Sequence, residues 1–143
     1  MRLTKFEQSG FISDTDSSLR LAFDIGNKTP IEKLNGVTAD AMLVSHIHGD
    51  HFSLEQIKKL SPKKLYLNAE CIETLGEEAL ISEIVEVKTG NEIMIDTIKV
   101  VFFNVDHGPN VSAPLKENFG FLITTDNKTL YFAGDMFYES GIN

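Results

Sequence analysis

The 143 residues carry 42% hydrophobic side chains and a formal charge of −8 at pH 7. This is enough apolar material for one core and too much for a disordered chain, so a single domain over residues 1–143 is expected. The acidic balance argues against nucleic acid and anionic membrane surfaces as partners. The lysine pairs Lys58-Lys59 and Lys63-Lys64 read as solvated flanks of a helix and a strand. Cys71 is the only cysteine, which rules out a disulfide within the chain and suits a reducing cytoplasm; a small apolar filler is its expected role. No run approaches the roughly 20 apolar residues of a membrane span. The opening "MRLTKFEQSGF" lacks the apolar core of a signal peptide, so a cytoplasmic location is expected.

In chain order, "LTKFEQSGFIS" is rich in strand formers. The polar "DTDSS" then separates it from "LRLAFDIG", where Leu19, Leu21 and Phe23 alternate with Arg20, Ala22 and Asp24. Alternation around a polar turn predicts a hairpin. "NKTPIEKLNG" reads as a connection with one helical turn after Pro30. "ADAMLVS" is a buried strand. A helix is expected after the next histidines, N-capped by Ser53 in a capping box with Gln56 and ended by Pro62. "KKLYLN" is a strand, and "AECIETLGEEAL" is helical up to a break at Gly76. "EIVEVKTG", "EIMID" and "IKVVFFNV" are strands, the last delivering the chain to His107. Loop signals fill "GPNVSAPLKEN". "FGFLITT", a turn at "DNK" and "TLYFAG" form a closing hairpin. The pattern is a mixed, layered α/β or α+β sheet fold.

Three of the four histidines lie within "HIHGDH". In extended backbone, side chains two apart share a side, so His46 and His48 point the same way from the end of the "AMLVS" strand. Asp50 and His51 follow on the turn into the helix, with Gly49 permitting a tight or left-handed backbone. Imidazoles brought this close are ligands for a divalent transition metal. Asp50 either joins a second metal or takes a proton from a bound water. Chance clustering explains two histidines better than three with an aspartate.

"HIHGDH" (His46 to His51) matches the H-x-H-x-D-H signature of the metallo-β-lactamase superfamily, which the chain resembles over nearly its whole length. The upstream hairpin ending in "AFDIGN", the downstream "FFNVDHG" and the strand "LYFAGD" fall in the family's order. The overall flavour is that of its compact bacterial and archaeal metal-dependent hydrolases. The resemblance implies an αββα sandwich and two metal sites. His46, His48 and His107 would hold the first metal, Asp50 and His51 part of the second, and Asp135 would bridge them. Asp24 in "FDIGN" either orients a ligand or is a turn residue beside Gly26. Family members usually continue past the bridging aspartate to one more histidine, so the N-terminal portion of the fold is expected here. Completion by further chain or a homo-oligomer is expected too, with Phe119, Phe121, Leu130, Tyr131 and Phe132 most at risk of exposure.

The chemistry implied is hydrolysis of an ester, lactone, thioester or phosphodiester bond in a small-molecule substrate by metal-activated water, with Asp50 catalytic. Zinc is the first choice of metal, in one or two ions, with iron or manganese as alternatives. No G-x-S-x-G elbow, P-loop or G-x-G-x-x-G occurs. The rival readings are a non-catalytic or incomplete metal-binding module and an iron-dependent redox member of the same superfamily.

Overall fold

A computed structural model of the chain describes residues 1–78, 80–108, 115–125 and 128–137. It divides into two compact units, Met1–Glu86 and Val87–Asn143.

The first unit is a six-stranded sheet in the order β1-β2-β3-β4-β5-β6. Strands β1 (Arg2–Lys5), β2 (Phe11–Asp14) and β3 (Arg20–Phe23) are antiparallel, which bears out the hairpin around "DTDSS". Strands β4 (Ala41–Leu43), β5 (Lys64–Leu67) and β6 (Glu83–Glu86) then add in parallel. The crossovers carry a 3-10 turn at Ile31–Leu34, then α1 (Leu54–Leu60), then α2 (Ala69–Leu75). One lateral row of side chains, Ile12, Ala22, Met42 and Leu65, lies in register across four strands. It belongs to the same buried cluster as Leu34, Ile57, Leu60, Cys71 and Leu75. Each Leu, Ile or Met side chain taken from water contributes about 1.5–3 kcal/mol. The alternate row holds Phe11 and Phe23, whose rings stack at 4.5 Å.

Helix α1 starts where expected but by different means. Ser53 occupies the N-cap position without a side-chain bond to the backbone; its hydroxyl bonds the Gln56 side chain instead. Gln56 is buried and donates to the Thr29 carbonyl at 3.1 Å. The reciprocal capping box fails because Gln56 is drawn inward to satisfy a loop carbonyl. The helix ends at Leu60, with Ser61 left-handed at φ 47° and Pro62 following. Helix α2 has a bonded cap, Asn68 accepting from Cys71 N at 2.8 Å, and stops at Gly76, whose φ is 58°.

The second unit is an antiparallel sheet in the order β10-β9-β8-β7. Its strands are β7 (Glu92–Ile95), β8 (Ile98–Asn104), β9 (Phe119–Thr124) and β10 (Thr129–Phe132). Strands β7 and β8 join through a two-residue turn in which Asp96 has φ 54°. Phe119 and Phe121, expected to be at risk of exposure, are fully buried. Register explains the difference: Phe121 pairs with Phe102, and the rings of Phe102, Phe119 and Phe121 meet edge-on or tilted on one face. Phe132 stacks on Phe121 at 5.4 Å. The other face exposes Met94, Phe103 and Tyr131. Much of "GPNVSAPLKEN" and the turn expected at "DNK" lie outside the described residues.

Candidate metal centre

Parallel pairing of β3 with β4 sets Phe23 beside Leu43, so the two strands end together. The residues just beyond them, Asp24 and Ser45, therefore meet. Such carboxyl-end crevices of parallel sheets are where open α/β folds place their chemistry. The Asp24 N–H still donates to Leu43 O at 3.2 Å, after which Asp24 turns left-handed at φ 45°. Asp24 thus fills both roles left open for it, turn residue and orienting carboxylate.

The histidine loop folds back on "FDIGN". The N–H groups of His51 and Phe52 both donate to His48 O, at 2.9 and 2.8 Å, closing a tight turn. Asn27 N donates to Gly49 O at 2.8 Å. The loop lies so close that a Cβ on Gly26 would sit 2.1 Å from the Asp50 carbonyl carbon and 2.4 Å from His51 N. Gly49 does not adopt a left-handed backbone, and a Cβ there would meet only the Asn27 side chain, 2.7 Å away at Nδ2, which would have to move aside.

His46 and His51 are fully buried, as are Asp24 and Ser45. Asp24 Oδ1 accepts the Ser45 N–H at 2.7 Å, and its Oδ2 accepts the Ser45 hydroxyl at 2.5 Å. The same Oδ2 lies 2.7 Å from His51 Nδ1. Ser45 Oγ is 2.9 Å from His46 Nδ1. With both Nδ1 atoms engaged from behind, the Nε2 atoms face the other way. His46 Nε2 comes within 3.0 Å of His48 Nδ1, bearing out the shared side expected for these two residues. Asp50 is partly exposed, with Oδ2 3.8 Å from His51 Nε2.

His107 and Asp135 belong to the second unit and face each other, His107 Nε2 lying 3.4 Å from Asp135 Oδ2. The buried amide of Asn118 holds the segments that carry them. Its Nδ2 donates to Val105 O at 3.2 Å and to Asp135 O at 3.0 Å. Phe137 N donates to Asp106 O at 2.7 Å. Gly108 has φ 82°, and a Cβ there would strike the Phe137 ring at 2.7 Å.

Four predicted site residues thus gather on one loop and two form a second pair. Ser45 and Asn118 were not singled out from the sequence. Ser45 adjoins the motif and was findable as a hydroxyl beside its first histidine; Asn118, far from any motif, gave no signal.

The donor set is imidazole nitrogen and carboxylate oxygen, the set that zinc, iron and manganese accept. The backed Nδ1 atoms match the way proteins orient metal-binding histidines. The residues present therefore fit a divalent metal.

Residues 18–140 match the model of the β-lactamase superfamily domain. The chain belongs to the metallo-β-lactamase superfamily. A relative from Korarchaeum cryptofilum (strain OPF8), named UPF0173 metal-dependent hydrolase, is 32% identical over 154 aligned positions. The alignment takes in 99% of this chain and 64% of that protein. Among solved structures, one from Parabacteroides distasonis, provisionally named a metal-dependent hydrolase, superposes with a TM-score of 0.76 at 20% identity. It covers 94% of this chain and 60% of that one. The isothiocyanate hydrolase from Delia radicum gut bacteria gives 0.71 at 19% identity, over 96% and 64%. The diiron β-hydroxylase CmlA from Streptomyces venezuelae gives 0.68 at 16%, over 94% and 29%. These structural likenesses carry the superfamily's fold. No helix among the described residues is long and apolar enough to cross a membrane.

Proposed function

We propose that this superfamily member is a metal-dependent hydrolase of a small-molecule ester, lactone, thioester or phosphodiester. Its metal ligands are His46, His48, Asp50, His51, His107 and Asp135. The observation that carries the reading is the convergence of His46 Nε2 and His48 Nδ1 at 3.0 Å, with Asp24 and Ser45 bonded behind the buried imidazoles. The name of the Korarchaeum relative, metal-dependent hydrolase, supports the same reaction class. His107 and Asp135 complete the set by their order in the chain, which follows the family pattern.

A bound divalent ion supplies Lewis acidity to a water and to the substrate's carbonyl or phosphoryl oxygen. The chain's own part is to orient and to move a proton. Asp50, partly exposed where the buried histidines are not, holds the attacking water in line and takes up its proton. Zinc is the proposed metal. The second reading is iron redox chemistry, favoured by an all-nitrogen-and-oxygen donor set on a fold that CmlA shares.

The proposed setting is a reducing cytoplasm, consistent with the single buried thiol. The proposed assembly is a homo-oligomer or a second unit covered by further chain, since Met94, Phe103 and Tyr131 offer apolar area to a neighbour. Metal analysis with a visible spectrum, followed by turnover of generic ester, lactone and phosphodiester substrates, tests the activity. Zinc with turnover supports it. Iron with a charge-transfer band and no hydrolysis moves the assignment to redox, and no retained metal overturns both.

A further inference from the structure

The buried polar groups behind the histidines form a chain whose proton directions can be counted. We propose that Ser45 is the positioning residue that fixes the tautomer of His46, relaying the hold of Asp24 onto that imidazole.

Ser45 has one hydroxyl proton and lies fully buried. That proton goes to Asp24 Oδ2, a carboxylate oxygen only 2.5 Å away. The hydroxyl oxygen is then left with lone pairs alone. His46 Nδ1, 2.9 Å from it, must donate. A neutral imidazole carries one ring proton, so His46 Nε2 keeps its lone pair. His51 reaches the same state chiefly through Asp24, whose Oδ2 lies 2.7 Å from its Nδ1, the Ser45 hydroxyl standing farther off at 3.3 Å. One carboxylate thus sets two imidazoles, one directly and one through a hydroxyl. The direction runs on outward: His46 Nε2 presents its lone pair toward His48 Nδ1, 3.0 Å away.

Alternative donors for His46 fail the count. Were Ser45 to donate to His46, two acceptor atoms, Asp24 Oδ2 and Ser45 Oγ, would face each other at 2.5 Å without a proton between them. Burial makes such an arrangement costly. The inference deepens the metal-site reading and rests on it for its purpose, but the tautomer itself is a property of the metal-free chain.

The test is long-range ¹H–¹⁵N correlation of the histidine rings in metal-free full-length protein, at a pH well above the ordinary imidazole range. In the unsubstituted chain His46 is expected as the Nδ1–H form. Ser45→Ala should shift His46 toward the Nε2–H form and leave His51 unchanged, while Ser45→Thr, which keeps the hydroxyl, should restore it. Zinc affinity by chelator competition should fall about 10- to 100-fold in Ser45→Ala and recover in Ser45→Thr. An Nε2–H form of His46 in the unsubstituted protein overturns the proposal, as does a His46 tautomer indifferent to Ser45→Ala. If Ser45→Ala does not fold, the unsubstituted and Ser45→Thr spectra still decide, because a His46 in the Nε2–H form in either sinks it. Absence of zinc binding in the unsubstituted chain would defeat the metal-site reading alone, leaving the tautomer result to stand or fall by itself.

Discussion

Asp24 Oδ2 lies 2.7 Å from His51 Nδ1, and neither side chain is reached by solvent. A buried carboxylate in this position holds the ring and raises the basicity of its far nitrogen. It also accepts two bonds from Ser45. Asp24→Ala therefore leaves several buried donors without an acceptor at once. The expected loss is about 2–4 kcal/mol of stability, from more than one unmade bond. Metal affinity should drop about 10- to 100-fold as well. Denaturant titration and chelator competition read the two effects separately. A variant of unchanged stability would mean that the network forms otherwise.

Gly26 allows the motif loop to lie on "FDIGN". Its need is steric, since the nearest groups to an added Cβ are the Asp50 carbonyl, at 2.1 Å to the carbon, and the His51 N–H, at 2.4 Å to the nitrogen. Those are backbone atoms that cannot swing aside. Gly26→Ala should cost about 1–3 kcal/mol or more and displace His51 from Asp24. The measurement is thermal unfolding together with the His51 ring signals. Retention of both at their original values would show that the loop yields more easily than its packing implies.

Much of this was legible beforehand. Alternation in "LRLAFDIG" gave the β2–β3 hairpin, and the apolar "AML" gave β4, because period and burial are local signals. The clustering of His46, His48 and His51 was legible too, since residues two apart on extended chain must face together. What escaped depends on partners distant in sequence. Gln56 reads as a capping residue until Thr29 O is seen to claim it. Phe119 and Phe121 read as vulnerable until their register with Phe102 and Asn104 is known. Asn118 carries no motif at all; only the proximity of Val105 and Asp135 gives it a role.

Cys71 is fully buried in the apolar cluster of the first unit. Burial, with smaller contributions from Asp24 and Glu70, pushes its thiol well above the ordinary range. The thiolate is the reactive form, so the native protein should react with a thiol reagent only through opening of α2. Labelling should be slow under native conditions and become fast across the unfolding transition. Rapid native labelling would contradict the packing of α2.

Acid stability should report Asp40. Its carboxylate accepts from Lys63 Nζ at 2.7 Å and from Arg20 N at 2.9 Å, tying β3 to the start of β5. The Lys63 bond first, and then the Arg20 N–H, hold the carboxyl below its ordinary 3.8. A folded value below the unfolded one adds stability that is complete above the ordinary value. That stability is lost as pH falls through the depressed folded value. Asp40→Asn should thus cost about 1 kcal/mol near pH 7, and the cost should shrink below about pH 4. A cost that stays constant into acid would assign it to shape rather than charge.

Asn118 gives the last test, one confined to the second unit. Its side chain is 3% exposed and its two amide hydrogens reach carbonyls on both flanking segments, Val105 before His107 and Asp135 itself. Both acceptors are main-chain oxygens, so the amide nitrogen must face them. Asn118→Ala deletes both donors and leaves two carbonyls to find other partners; about 1–3 kcal/mol of stability should be lost. Asn118→Asp is the sharper variant, because it has the same shape but sets a carboxylate oxygen against those carbonyls. It should be worse than alanine, since repulsion between acceptors adds to the lost bonds. If Asn118 also positions His107 against Asp135, which stand 3.4 Å apart, the His107 ring signals should move in both variants while those of His46 and His51 stay in place. Equal stability of the alanine and aspartate variants, with an unmoved His107, would reduce Asn118 to a filler of space.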